Sequence, residues 1–182
     1  MMEGFESVSD LIYYWLGFFK NIKFYGIVGN HGRTSLPGQE KEYVNWDNVC
    51  YDFLKVRFKD NPRVGFQCNK SWWQMPEIRN HKFLLIHGED VNSGTSVINN
   101  LKKFEERLTS ITGVVPDYTL AGHFHSCADL STANGRVIIN GSLVGPDVFS
   151  LKKLQRGGIP EQKMFGIHDK RGITWTYNLQ LI

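Results

Sequence analysis

Three stretches of this chain run apolar and then break into glycine and histidine. Phe24 to Gly32 carries Gly29-Asn30-His31-Gly32, Phe83 to Gly88 carries His87-Gly88, and Tyr118 to His125 carries Gly122-His123-Phe124-His125. Imidazole and amide oxygen are ligands for zinc, manganese and iron, and glycine beside them lets the backbone approach a small charged centre. Four of the six histidines, His31, His87, His123 and His125, fall in these segments. His81 and His168 read as residues of polar turns. Two residues apart in extended backbone, His123 and His125 are expected to face one side and reach neighbouring metal ions. The chemistry such a set could perform is phosphoester hydrolysis. That reaction needs a hydroxide at neutral pH, neutralisation of the phosphoryl oxygens and a proton for the leaving oxygen. Two metal ions about 3.5–4 Å apart supply the first two, and a non-ligating imidazole supplies the third.

The elements that must hold these residues follow from periodicity. Short apolar runs bounded by glycine read as buried strands, so each histidine stands where a strand passes into a loop, the binding edge of an α/β sheet. Val8, Leu11, Ile12, Trp15, Leu16 and Phe19 recur at helical spacing ahead of a strand that begins near Lys23. Tyr43, Trp46, Cys50, Phe53, Leu54 and Phe58 mark a second helix, which Asn61-Pro62 ends. Val64, Phe66 and Cys68 alternate as a strand, and Trp72-Trp73 reads as core or interface before it reads as a platform for stacking bases. The polar loop from Gly88 to Thr95 includes Glu89 and Asp90, read as capping and solvating residues that could instead lend a metal a carboxylate. Val97, Ile98, Leu101, Phe104, Leu108 and Ile111 form a third helix closed by Gly113. Val137 to Ile139, Met164 to Ile167 and the alternation Ile173, Trp175, Tyr177, Leu179, Leu181 are strands. The last two are expected to form an antiparallel hairpin with one buried face.

Gly29-Asn30-His31, His87-Gly88 and Gly122-His123-Phe124-His125, in that order, resemble the last three motifs of the calcineurin-like metallophosphoesterases. Asn140-Gly141-Ser142-Leu143-Val144-Gly145-Pro146-Asp147 is similar to the phage-encoded, nuclease-type branch. The resemblance implies a layered α/β/β/α sandwich, divalent metal ions (manganese first, with zinc, iron, nickel or cobalt as substitutes) and a phosphoester substrate, nucleic acid among the candidates. It implies that Asn30, His87 and His123 bind one metal and His125 the other, while His31 acts on the leaving group or the transition-state phosphoryl oxygen. Arg33 is a candidate for meeting a substrate phosphate, and an ordinary loop arginine is the other reading.

Two of the family's patterns are missing. No Asp-x-His and no Gly-Asp occurs anywhere in the chain, so the resemblance implies an N-terminally truncated fold, the C-terminal portion of one domain spanning residues 1–182. Gly32 stands where the family places an acidic residue that orients the histidine. The expected function is a metal-dependent phosphoesterase, a hydrolase that includes DNA-processing phosphodiesterases or nucleases in its range. The alternative is a non-catalytic binding or assembly module on the same scaffold. An absent leading strand would leave unpaired backbone, which implies a homo-oligomer or a partner supplying the missing strands, with the aromatic opening helix at the contact; the alternative is a monomer whose opening helix folds back over that edge.

Composition fits such a domain. The 182 residues are 41% hydrophobic and 13% aromatic, which excludes disorder. A formal net charge of +3 is mild, and Lys152, Lys153 and Arg156 read as a solvated loop before they read as a nucleic-acid groove. Cys50, Cys68 and Cys127 are odd in number and scattered, as in a reducing compartment. The apolar stretch from Leu11 to Phe19 is too short to span a bilayer, and Glu3 and Glu6 precede it where a signal peptide would be basic. A cytoplasmic protein without a membrane segment is expected.

Overall fold

A computed structural model describes residues 2–36, 39, 41, 43–91, 96–132, 135–145 and 159–181. The α/β class expected from the sequence is what these residues form. They fall into two compact units, 1–72 and 73–182.

The first unit is a β-α-β arrangement behind an opening helix. Helix α1 spans Met2–Leu16, strand β1 Ile22–Gly26, helix α2 Trp46–Arg57 and strand β2 Val64–Cys68, with β1 and β2 parallel and Phe24 paired with Phe66. Parallel neighbours need a crossover between them, and α2 provides it. Ile12, Leu54, Phe58 and Val64 make the core, with Val8, Leu16, Ile22, Phe24, Cys50 and Phe66 packed around it. The opening helix buries Phe5, Ser9 and Ile12, whereas Leu11 and Trp15 of the expected stripe are exposed and Phe19 lies beyond the helix end. Burial of Phe5 and Ser9 rotates the inward face away from those positions. Tyr43 likewise precedes α2, which begins after the cap at Asn45.

The second unit holds a six-stranded sheet and a separate two-stranded one. Strands β3 (Trp73–Gln74), β4 (Glu77–Ile78), β5 (His81–Ile86), β6 (Tyr118–Ala121), β7 (Ala128–Ser131) and β8 (Arg136–Ile139) run in the order β3-β5-β6-β8-β7, with β4 also paired to β5. Strands β5, β6 and β8 are parallel, and β3 and β7 flank them antiparallel. Helix α3, Val97–Thr112, joins β5 to β6; Ser96 accepts from Asn99 N–H at its start, and Gly113 N–H donates to the Thr109 carbonyl at its end. Central parallel strands are covered on both faces, so they read as continuous apolar runs. Phe83, Leu84, Leu101, Val137 and Ile138 are accordingly almost fully buried. Strands β4 and β7 escaped the sequence pattern because two residues, or the half-polar Ala128-Asp129-Leu130-Ser131, carry no clear period.

Strands β9 (Glu161–His168) and β10 (Gly172–Gln180) form the expected hairpin, but the expected face is not the buried one. The pairing shifts between Ile173 and Trp175, so Ile173 opposes Ile167 while Trp175 opposes Gly166. That bulge reverses the alternation, turning Trp175 and Tyr177 outward at 51% and 60% exposure. Phe165, on the other face, stacks on Phe83 at 6.3 Å. His81 and His168 begin and end strands rather than sitting in turns, with His81 Nε2 3.1 Å from the His168 carbonyl. Among the described residues no helix is long and apolar enough to cross a membrane.

Candidate metal centre

Strands β5 and β6 are parallel and in register to their last residues, Ile86 opposite Ala121, so the next residues of both emerge side by side. Gly122 N–H donates to the His87 carbonyl over 2.9 Å and carries the pairing one step past the strands. His87 and His123 then meet, with His123 Nδ1 3.3 Å from His87 Nε2 and the rings edge to face at 5.1 Å between centroids. Both are half-buried, and His123 also packs edge-on against the buried Phe124 ring at 5.5 Å.

The backbone there is held in an uncommon conformation. His123 has φ 65° and His125 φ 57°, both left-handed, and Gly88 has φ 111°. Non-glycine residues in that region cost stability and cluster at functional sites. Gly88 suits that φ, and a Cβ there would also lie 3.1 Å from the Phe124 ring, closer than ordinary van der Waals contact. The left-handed residues replace the extended run expected through His123 and His125, so the alternation that set both on one side does not apply. His125 is half-buried two residues beyond the pair.

Two nitrogens bound to one tetrahedral ion at about 2.0–2.1 Å are separated by about 3.3 Å. The His87–His123 spacing therefore fits half of a metal's ligand shell. Among the described residues no group of three or more His, Cys, Asp or Glu side chains is placed to hold a metal ion. Asp90 is exposed in the turn that Val91 N–H closes on the Gly88 carbonyl. The Cys127 thiol is held above its ordinary value by burial first and the Glu161 carboxylate second, which disfavours thiolate ligation. Asn140, in the stretch likened to the nuclease branch, is engaged in packing: its side chain donates to Gln162 Oε1 over 2.7 Å and accepts from Lys163 N–H over 2.7 Å. Pro146, Asp147, Lys152, Lys153, Arg156 and Asn92 to Thr95 lie outside the described residues.

In the first unit, Asn30, His31 and Gly32 form a single 3-10 turn just after β1, with His31 exposed and Asn30 half-buried. Arg33 follows, half-buried and bridged to Asn45. The start of α2 grips this turn. Gly29 N–H donates to Asp47 Oδ2 over 2.8 Å, and Asn45 Nδ2 donates to the Gly29 carbonyl over 3.0 Å. Asn45 Oδ1 also accepts from Asp47 N–H over 2.8 Å, which caps the helix. A Cβ at Gly32 would lie 2.1 Å from Asn45 Oδ1 and 2.8 Å from Asp47 Oδ1, so only glycine fits. Burial raises the Asp47 carboxyl above its ordinary value, opposed by the Gly29 N–H and the charge of His31. Asn45 and Asp47 were not singled out in sequence. Asn-x-Asp ahead of a helical period signals a cap, but nothing in it signals a turn sixteen to eighteen residues earlier.

No protein-family model and no curated protein matches the chain. Solved structures resemble its fold. A single mutant of Vps29 from Entamoeba histolytica is 14% identical, covering 88% of this chain and 99% of that one, with a TM-score of 0.49. Wild-type Vps29 from the same organism, complexed with zinc, is 13% identical over 87% and 98%, with a TM-score of 0.48. An archaeal phosphodiesterase is 18% identical over 89% and 69%, with a TM-score of 0.44.

Proposed function

We propose that this chain is a metal-dependent phosphoesterase whose His87 and His123 hold a divalent ion, manganese first. The observation that carries the reading is the 3.3 Å approach of His123 Nδ1 to His87 Nε2 from adjacent parallel strand ends. It is supported by left-handed backbone at His123 and His125, an uncommon conformation that recurs at active sites and ligand clamps and that Lys70, Arg79 and Asn80 also adopt elsewhere in the chain. When bound, such an ion polarises a phosphoryl group as a Lewis acid and acidifies water. His125 is the imidazole offered to a second ion, and in the first unit Asn30 offers an amide oxygen as a ligand. His31, exposed and outside the ligand set, serves as proton donor or charge stabiliser, and Arg33 meets a phosphate oxygen. Nucleic acid is a substrate class consistent with this chemistry. The opening helix carries Tyr14, Phe18 and Phe19 on or beside its open side, which supports self-association.

A second reading, a binding or assembly module without catalysis, is favoured by the lack of any three-residue His, Cys, Asp or Glu cluster among the described residues. Manganese-loaded protein assayed on bis-p-nitrophenyl phosphate separates the two. Turnover that disappears in His123→Ala is expected of the enzyme. Metal bound through His87 and His123 without turnover establishes the module.

A further inference from the structure

We propose that Asn45 and Asp47, at the start of α2, are positioning residues that fix the backbone of the turn carrying Asn30 and His31. The inference rests on the reading of His31 as a working residue. Three contacts converge on one peptide segment. Asp47 Oδ2 takes the Gly29 N–H, Asn45 Nδ2 gives to the Gly29 carbonyl, and both side chains fill the space above Gly32 where any Cβ would collide. Gly29 thus has both backbone polar groups held by side chains of one helix start. Those side chains are in turn locked together through Asn45 Oδ1 and Asp47 N–H. A three-residue 3-10 turn has few internal hydrogen bonds and would otherwise set His31 loosely. Asn45 is buried, Asp47 is half-buried, and an isolated bridge from Asn45 to Arg33 continues the grip past the turn. The carboxylate of Asp47 stays in a partly desolvated place because it holds a backbone donor there, whereas a surface cap would be solvated.

Substitutions separate the grip from the helix cap. Asn45→Ser keeps a capping oxygen but lacks the amide that reaches the Gly29 carbonyl. Asp47→Ala removes the acceptor of the Gly29 N–H, and Asp47→Asn keeps an oxygen there without the charge. Amide exchange at Gly29 in the full chain is expected to accelerate about tenfold or more in Asp47→Ala and to stay slow in Asp47→Asn. On bis-p-nitrophenyl phosphate with manganese, Asp47→Ala and Asn45→Ser are expected to lower kcat by about 10–10²-fold with KM nearly unchanged, and Asp47→Asn to recover most of it. Unchanged exchange in Asp47→Ala overturns the proposal. So does an Asp47→Asn variant as slow in turnover as Asp47→Ala while its Gly29 amide stays protected, because the carboxylate would then act through charge. An inactive wild-type protein whose Gly29 amide is deprotected by Asp47→Ala rejects the phosphoesterase reading and leaves the grip on the turn established.

Discussion

Thr119 Oγ1 donates to Glu105 Oε2 over 2.6 Å, and both residues are buried. The bond ties the crossover helix α3 to strand β6 four residues before His123, so the strand that delivers the histidine is fixed to its own connection. A buried carboxylate that loses its donor is left with its desolvation cost.

Thr119→Val should therefore lower stability by about 1–3 kcal/mol in urea denaturation. Removing both partners with Thr119→Val and Glu105→Leu should cost less than Thr119→Val alone, because no polar group is left stranded. A double variant weaker than the single one would show that the bond contributes little.

Metal content follows from the ligands the described residues assemble. Two imidazoles at 3.3 Å make half a shell, and such a set holds a divalent ion without great affinity. Protein purified without chelator should carry about one equivalent of metal or less, and His87→Ala or His123→Ala should carry almost none. Two tightly held equivalents would require ligands beyond these.

His31 lies outside the ligand pair, exposed on its own turn. His31→Ala should lower turnover by about 10²–10⁴-fold with metal content unchanged. Metal loss equal to that of His123→Ala would make His31 a ligand.

Asp47 gives a pH dependence of known sign. Its folded carboxyl lies above the ordinary value because burial outweighs the Gly29 N–H and the charge of His31. The charge of His31 acts on it, and Asp47 in turn, after burial, pushes the Cys50 thiol and the Tyr51 hydroxyl up. The folded state then binds more protons than the unfolded chain between the ordinary and the raised value. Stability falls as pH rises through that window and is level above it. Asp47→Asn should flatten that fall in urea denaturation repeated across the acid range. A slope identical in the variant would mean that other groups produce it.

Self-association is expected through the opening helix and the turn that follows it, where Phe18 and Phe19 are 69% and 58% exposed. Light scattering should give a mass above the 20.9 kDa chain that falls on dilution. A single mass of 20.9 kDa at every concentration would refute it.

Much of the fold was legible because apolar spacing is a local property. The helices around Ile12, Leu54 and Leu101, the strand of Phe66 and the hairpin follow from period, and the strands of Phe24, Phe83 and Leu120 from apolar runs that glycine bounds. The side chains that the hairpin buries did not follow, because one bulge residue, Thr174, reverses every position after it. The His87–His123 approach was legible in outline, since glycine and histidine close both strands. The local backbone was not: extended alternation assigns His123 and His125 a common side, and left-handed φ at both overrides it. Asn45 and Asp47 were invisible as partners of Gly29, because a contact across sixteen or eighteen residues depends on where α2 starts in space.

The left-handed histidines set two properties of this chain against each other. Glycine occupies that backbone region freely, and relieving an L-residue there gains about 1–2 kcal/mol, of which the added freedom of glycine in the unfolded chain takes back about 0.5–1 kcal/mol. A screen for thermal tolerance would therefore enrich glycine at positions 123 and 125 and, with each gain, erase an imidazole. Variants recovered by heat and variants recovered by metal capture should diverge at these two positions first.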